Sequence, residues 1–449
     1  MKAAPKALFL VGSGLLTAAL ILSVAPRPSL AQSGTTRTNA AFQRFWAADS
    51  PEVASKLAEE LAKSGVTFNE AFARLKTGRS YKPQSSGVIQ GKNQTSDGVE
   101  HYYSINVPLN YDPAHKYQAR FQLHGGVGGR SDNKPRGNGE IGQLAGAEQF
   151  YVLPYAWDAA GWWSDDQVLN LASITDALKR TYNIDENRVV VSGVSDGGTG
   201  AYYIAMRETT PFASFLPLNG FIMVLANQDF DDGRTFPNNL RAKPMFAVNG
   251  GLDRLYPIRI VEPYTKHLMA GGVTVDYHPQ PDGEHNTRWW PEIKDPFEKF
   301  VTAHPRNPYP DQLSWEAVDQ MHNRDHWLIL DEYGASSGEK HNLPDLNNVD
   351  KKEGLGEGEL FSRLNPSGRV DLVRKGNTVE ASTRHVRAFT LLLSPDQFDF
   401  DQPIQVIANG RTVFHAKVTK SVQTLLKWAA RDNDRTMLFG AEVQIKLPK

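Results

Sequence analysis

The sequence predicts an α/β protein with a mostly parallel sheet, followed by a smaller β-rich domain. Three observations carry that prediction. Strand-like and helix-like stretches alternate from Tyr102 to about Ala303. Several of the strand-like stretches are continuous apolar runs, as expected where helices cover both faces of a sheet. Past a proline-rich passage, "HPRNPYPDQ" (His304 to Gln312), the pattern changes to short strands joined by hairpin turns.

The chain begins with Lys2 and Lys6 ahead of an apolar run, "ALFLVGSGLLTAALILSVA", and Ser29-Leu30-Ala31 fits a small-residue cleavage site. Residues 1–31 are therefore read as a signal peptide cleaved after Ala31, which predicts a secreted or periplasmic protein. A retained membrane anchor is the alternative, because the run approaches spanning length. Residues 32–85 read as a short helical segment. Ser50-Pro51-Glu52 is a helix start, and Thr67-Phe68-Asn69-Glu70 is a capping box before "AFARLK", which stops at Gly78.

The predicted catalytic domain spans 86–304. Its strands are "YYSINVPL", "ARFQLH", "QFYVLPYA", "RVVVSG", "FASFLPLNG", "PMFAVNG" and "VTVDYHP", with the helix "VLNLASITDALKRTY" before the fourth. Residues 305–312 are read as a linker, and 313–449 as a β-rich domain of sandwich type. There "HWLILDE", "RVDLVRKGNTVEAST", "VRAFTLLLSP", "PIQVIANGRTVFHAKV" and "AEVQIKL" are strand-like, with turns at Gly376-Asn377 and Asn409-Gly410, and "VQTLLKWAA" is a helix.

The 449 residues carry a formal net charge of -1, and no basic block gives the footprint a nucleic acid would need. With no cysteine in the chain, disulfides, thiolate metal sites and cysteine nucleophiles are excluded.

The chemistry concentrates in "RVVVSGVSDGGTGAYYIAM" (188–206), where an apolar strand runs into a helix through Gly193-Val194-Ser195-Asp196-Gly197. A serine on such a turn needs strained backbone and neighbours without side chains, which the glycines supply. The helix N-terminus behind it aims free N–H groups at the same spot. A nucleophilic serine needs a base, and the base an orienting acid. Both belong in loops after later strands, since sites gather at the carboxyl ends of strands in such sheets. "MFAVNGGLDRLYP" offers Asp253 and "VTVDYHPQPDGEHNTRWW" offers His285. Asp231, Asp232 and Asp282 do not directly follow a core strand in this way, and His278 falls inside a strand. In "FQLHGGVGGR", backbone N–H groups of Gly125 or Gly126 would meet an oxyanion together with that of Asp196. His124 is read as a structural hydrogen-bonding residue beneath that loop.

The elbow "GVSDGG" with "LHGG", "GGLD" and "GEH" resembles the α/β-hydrolase superfamily. The likeness is to secreted esterases of the polyhydroxybutyrate-depolymerase and feruloyl-esterase type, and to prolyl-oligopeptidase-like catalytic domains. It covers about half the chain, from near Tyr102 to near His304. The resemblance implies Ser195 as nucleophile, His285 as general base and then acid, and Asp253 as the orienting carboxylate. It departs from those families in having no disulfides and no propeller ahead of the catalytic segment.

Five of the nine tryptophans lie in two stretches that follow strands. Trp157, Trp162, Trp163 and Trp289 are candidate substrate-binding residues; the alternative for each is packing around the loops. Trp290 is the fifth, and Trp315, Trp327 and Trp428 are expected in the core of the tail. Asp165-Asp166 reads as a carboxylate pair at a helix N-terminus, not a metal site. The expected function is an exported serine hydrolase acting on small or polymeric carboxylic esters, with no cofactor or metal, no nucleic-acid partner, and no stable membrane insertion after signal removal. The alternatives are a serine peptidase of the prolyl-oligopeptidase type and a non-catalytic binding protein on the same fold.

Overall fold

The computed structural model of the chain describes residues 30–95, 98–134, 148–336, 343–350, 355–363 and 366–448, with backbone alone for 30–35. The expected signal peptide lies outside these residues apart from Leu30 and Ala31, which open the first helix. Among the described residues no helix is long and apolar enough to cross a membrane.

Three helices come first: α1 (Leu30–Trp46), α2 (Pro51–Ala62) and α3 (Phe68–Thr77). Each of the last two starts as its sequence dictates. The Ser50 side chain accepts the Val53 N–H with Pro51 in the first turn, and the Thr67 side chain accepts the Glu70 N–H. Their apolar faces do not form a free-standing core. Phe42, Leu61 and Leu75 pack against Leu425 and Leu426 of the helix Val422–Asp432, more than 340 residues along the chain.

The central sheet has eight strands: β1 (Gly87–Gln94), β2 (Glu100–Val107), β3 (Tyr117–Leu123), β4 (Phe150–Pro154), β5 (Ile184–Val194), β6 (Ser214–Leu218), β7 (Met245–Gly250) and β8 (Val275–Gln280). Their spatial order is β1-β2-β4-β3-β5-β6-β7-β8. Strands β1 and β2 run antiparallel to their neighbours, and all pairings from β4 to β8 are parallel. The helices between them are α4 (Asp165–Thr181), α5 (Asp196–Arg207), α6 (Ile258–Ala270) and α7 (Trp290–Ala303). Burial on both faces explains the unbroken apolar runs: Val189, Val190 and Val191 in β5 are at most 1% exposed. Strand β1 escaped the sequence reading because "GVIQGKNQ" lies on the edge with mostly exposed side chains, so no burial pattern marks it.

The tail forms two sheets around one core, a sandwich. One sheet orders Arg411–Ala416, Ile404–Ala408, Thr378–Arg384, Gly368–Lys375 and Gln312–Ala317. The other orders Arg324–Asp325, Leu328–Tyr333, Val386–Leu393 and Ala441–Lys446. Trp315, Trp327 and Trp428 are buried in that core. The strand Gln312–Ala317 was not foreseen; it starts on the last residue of the proline-rich passage, which hides its beginning. In the hairpin at Asn409-Gly410 both residues take positive φ, 52° and 75°, as a two-residue turn requires.

Polar contacts bind the sandwich to the start of β5 and to residues that precede β6 and β7. Arg306, fully buried, donates to Asn187 Oδ1, to the Thr210 carbonyl oxygen at 2.9 Å and to Asp434 Oδ2 at 2.7 Å. Asn239 exchanges two hydrogen bonds with the backbone of Glu316. These contacts sit at the amino ends of the strands. The carboxyl ends, where β5, β7 and β8 deliver their loops, are left to the site.

Candidate functional site

Ser195 stands between β5 and α5 with φ 58° and ψ -118°, a backbone strained for any residue but glycine. The crowding is severe. A Cβ at Gly193 would lie 2.1 Å from the carbonyl oxygen of Gly197, and one at Gly197 would lie 2.1 Å from that of Leu123. Only residues without side chains let strand, elbow and helix approach this closely.

The loops after β7 and β8 are packed backbone to backbone. A Cβ at Gly250 would fall 2.3 Å from the Gly283 carbonyl oxygen, so the two turns interlock and carry their side chains to one point. There the Ser195 hydroxyl lies 2.8 Å from His285 Nε2, and His285 Nδ1 lies 2.7 Å from Asp253 Oδ2. The other oxygen of Asp253 accepts the N–H groups of Leu255 and Tyr256 at 2.8 and 2.9 Å. Asp253 is 2% exposed, and both its oxygens are engaged as acceptors. Its bond at Nδ1 leaves Nε2 of a neutral imidazole with the lone pair facing the serine. Asn219, at the end of β6 with φ 47°, donates to the Asn286 carbonyl oxygen at 2.9 Å and so braces the residue after His285. Nothing in the sequence singled it out except its position at the end of a strand.

The loop after β3 is pinned at three successive points. Trp162 Nε1–H donates to the His124 carbonyl oxygen at 2.8 Å. His124 Nε2 accepts the Ala156 N–H at 3.1 Å, which fixes Nδ1–H as donor to the Gly125 carbonyl oxygen at 2.9 Å. Asp196 Oδ2 accepts the Val127 N–H at 2.7 Å. Three backbone N–H groups, those of Gly125, Gly126 and Asp196, have no protein partner among the described residues. Gly125 touches the serine: a Cβ there would lie 2.9 Å from that of Ser195. Free donors beside a strained hydroxyl suit a developing oxyanion. His124 is held as a neutral, fully bonded ring, which fits the structural role read from the sequence.

For three of the four candidate tryptophans, burial favours the packing alternative. Trp162 is wholly buried, Trp157 is 7% exposed and packs on His101, and Trp289 is 6% exposed in the cluster under β7 and α7. Loops that cross a sheet edge need large rings to fill the space beneath them. Trp163 is half-buried against Phe230, with ring centroids 4.5 Å apart. Asp165 is likewise occupied. Burial alone would raise its pKa, but the His322 hydrogen bond and the Arg207 charge outweigh that and bring it down to about 2.

The sequence reading passed over one more group. Tyr256 follows Asp253 closely, and its ring centroid is 5.6 Å from that of His285. Burial raises the pKa of its hydroxyl, as do the charges of Asp196 and Asp253.

A serine elbow after β5, in a sheet of this order with two antiparallel strands on one side, is the α/β-hydrolase fold. No protein-family model matches the chain. It is similar to a bifunctional acetylxylan esterase/xylanase of Neocallimastix patriciarum, 26% identical over 196 residues, which is 39% of this chain and 27% of that protein. The chain thus spans about a quarter of that relative's length. Among solved structures it is similar to a thermostable esterase (21% identity, TM-score 0.38, 49% of this chain and 63% of the other). It is also similar to apo esterase 2 of Thermogutta terrifontis (16% identity, TM-score 0.41, 49% and 96%).

Proposed function

We propose that this protein is an exported serine hydrolase that cleaves carboxylic esters through an acyl-enzyme. The observation that carries the reading is the unbroken chain of contacts from the Ser195 hydroxyl through the His285 imidazole to the buried Asp253 carboxylate, at 2.8 and 2.7 Å. In this reading Ser195 Oγ attacks the ester carbonyl while His285 Nε2 takes its proton. Asp253 holds the imidazole in the needed tautomer and steadies the imidazolium. The negative charge forming on the carbonyl oxygen meets the N–H groups of Asp196 and of Gly125 or Gly126. His285 then returns the proton to the leaving alcohol, and water, activated in the same way, releases the acid.

The likeness to a bifunctional protein with an acetylxylan esterase activity supports the choice of ester over amide. Short p-nitrophenyl esters and proline-containing peptide amides separate the two: ester turnover dominating by kcat/KM supports the proposal, and peptide cleavage as the main activity refutes it. Export rests on the leader, residues 1–31. N-terminal sequencing of protein recovered outside the cytoplasm is expected to begin at Gln32.

A further inference from the structure

A row of aromatic rings leads away from His285. Tyr256 stands 5.6 Å from the imidazole at 76°, Phe221 is 5.9 Å from Tyr256, and Tyr264 is 5.4 Å from Phe221. The three rings come from three separate elements: the loop after β7, the loop after β6, and α6. None is buried. Leu252 and Leu255, 60% and 57% exposed, bracket Asp253 on the same loop. Exposed leucines are unremarkable singly, but these two share with Tyr256 the loop that holds the acid, and the row of partly open rings gives that side an apolar wall. The Tyr256 hydroxyl makes no hydrogen bond among the described residues, and its ring stands edge-on beside the His285 imidazole.

The chemistry decides which half of the ester meets this wall. The group that leaves must take its proton from His285 Nε2, so the alcohol oxygen has to sit beside the imidazole, and the alcohol's substituent beyond it. The acyl half stays on the serine, with its carbonyl oxygen toward Gly125, Gly126 and Asp196. We propose that Tyr256 and Phe221, extended by Tyr264 and rimmed by Leu252 and Leu255, form the leaving-group subsite, and that the preferred esters carry a ring-bearing apolar alcohol. The inference rests on the serine-hydrolase reading above. Proton and bond balance are those of that mechanism: the C–O bond to the alcohol breaks, and its oxygen receives the proton taken from Ser195.

The test compares 2-phenylethyl acetate, whose ring is on the alcohol, with ethyl phenylacetate, whose ring is on the acid. The kcat/KM ratio of the first to the second is measured for wild type, Tyr256→Ala, Phe221→Ala and Phe221→Leu. Phe221→Leu keeps an apolar side chain, and so covers the case in which an alanine variant fails to fold. The ratio is expected to fall about tenfold or more in each alanine variant and by less in Phe221→Leu, chiefly through KM for the phenylethyl ester. An unchanged ratio, or a loss confined to ethyl phenylacetate, overturns the proposal. Fluorophosphonate labelling of the same samples keeps the two readings apart. A wild type that labels, with variants that keep its ratio, refutes only the subsite, whereas a wild type that never labels refutes the serine mechanism.

Discussion

Asp196 accepts the Val127 N–H at 2.7 Å, so the residue next to the proposed nucleophile also ties down the loop that faces it. The backbone of Asp196 offers one oxyanion donor, and its side chain fixes the loop that offers the other. Asp196→Ala is expected to lower kcat by about tenfold or more with little change in KM, because a slack donor is lost mainly in the transition state. Asp196→Asn keeps an oxygen acceptor for Val127 and is expected to recover most of the rate. Equal losses in both variants would assign the effect to charge instead of to the tie.

Asp253→Asn leaves an oxygen for the Leu255 and Tyr256 N–H groups but presents the wrong partner to His285. The loop should keep its shape while kcat for an ester falls by about three to four orders of magnitude. Steady-state kinetics with a thermal-melt control reads this directly; a variant within tenfold of wild type would remove Asp253 from the mechanism.

Gly193→Ala sets a methyl 2.1 Å from the Gly197 carbonyl oxygen, with backbone on both sides and no flexible side chain to yield. A cost of about 1–3 kcal/mol in stability is expected, together with loss of active-site labelling as the elbow shifts. Calorimetry and labelling of one sample check both.

Arg306 and Asp434 form a buried pair that joins the sandwich to the start of β5 and to the residue Thr210 before β6. Arg306→Met strands the carboxylate, and about 3–5 kcal/mol of stability should go with it. Urea unfolding measures the loss; a change under 1 kcal/mol would mean that the pair is replaceable by water.

Lys243, His326 and Asp325 make a second buried chain, with Lys243 Nζ 2.9 Å from His326 Nε2 and Thr209 donating to Asp325. Burial lowers the pKa of Lys243 to about 7, against the pull of Asp325 and Glu208 and with the push of Arg306. An unfolded lysine binds its proton up to about pH 10.5. Between these values the unfolded chain holds more protons, so this group makes stability rise from about pH 7 toward 10.5. Lys243→Met is expected to flatten the rise of Tm over that window, and an unaltered slope would show that the amine titrates normally.

The sequence made some of this legible and hid the rest for physical reasons. Ser195 and Asp253 could be singled out because each follows an apolar strand whose burial leaves a local signal, and because the elbow needs glycines at fixed offsets; His285 follows β8, which has no buried residue, and stood out only by its place in the turn after the next strand. The contacts between them were not legible, since they depend on Gly250 meeting Gly283, a clash avoided 33 residues apart. Trp162 misled because a ring on a loop near a site looks the same in sequence whether it faces solvent or, as here, holds the His124 carbonyl from below. Tyr256 and Phe221 carried no signal at all: one aromatic per loop has no period, and only the fold aligns them. The docking of Phe42 and Leu61 on Leu425 and Leu426 joins segments too distant for any pattern to link.

The most direct test is to treat the purified protein with a fluorophosphonate and map the adduct by peptide mass spectrometry. A single modification on the peptide containing Ser195, absent from a folded Ser195→Ala variant, is the predicted result. An unmodified wild type, or an adduct that persists when Ser195 is replaced, would contradict the account.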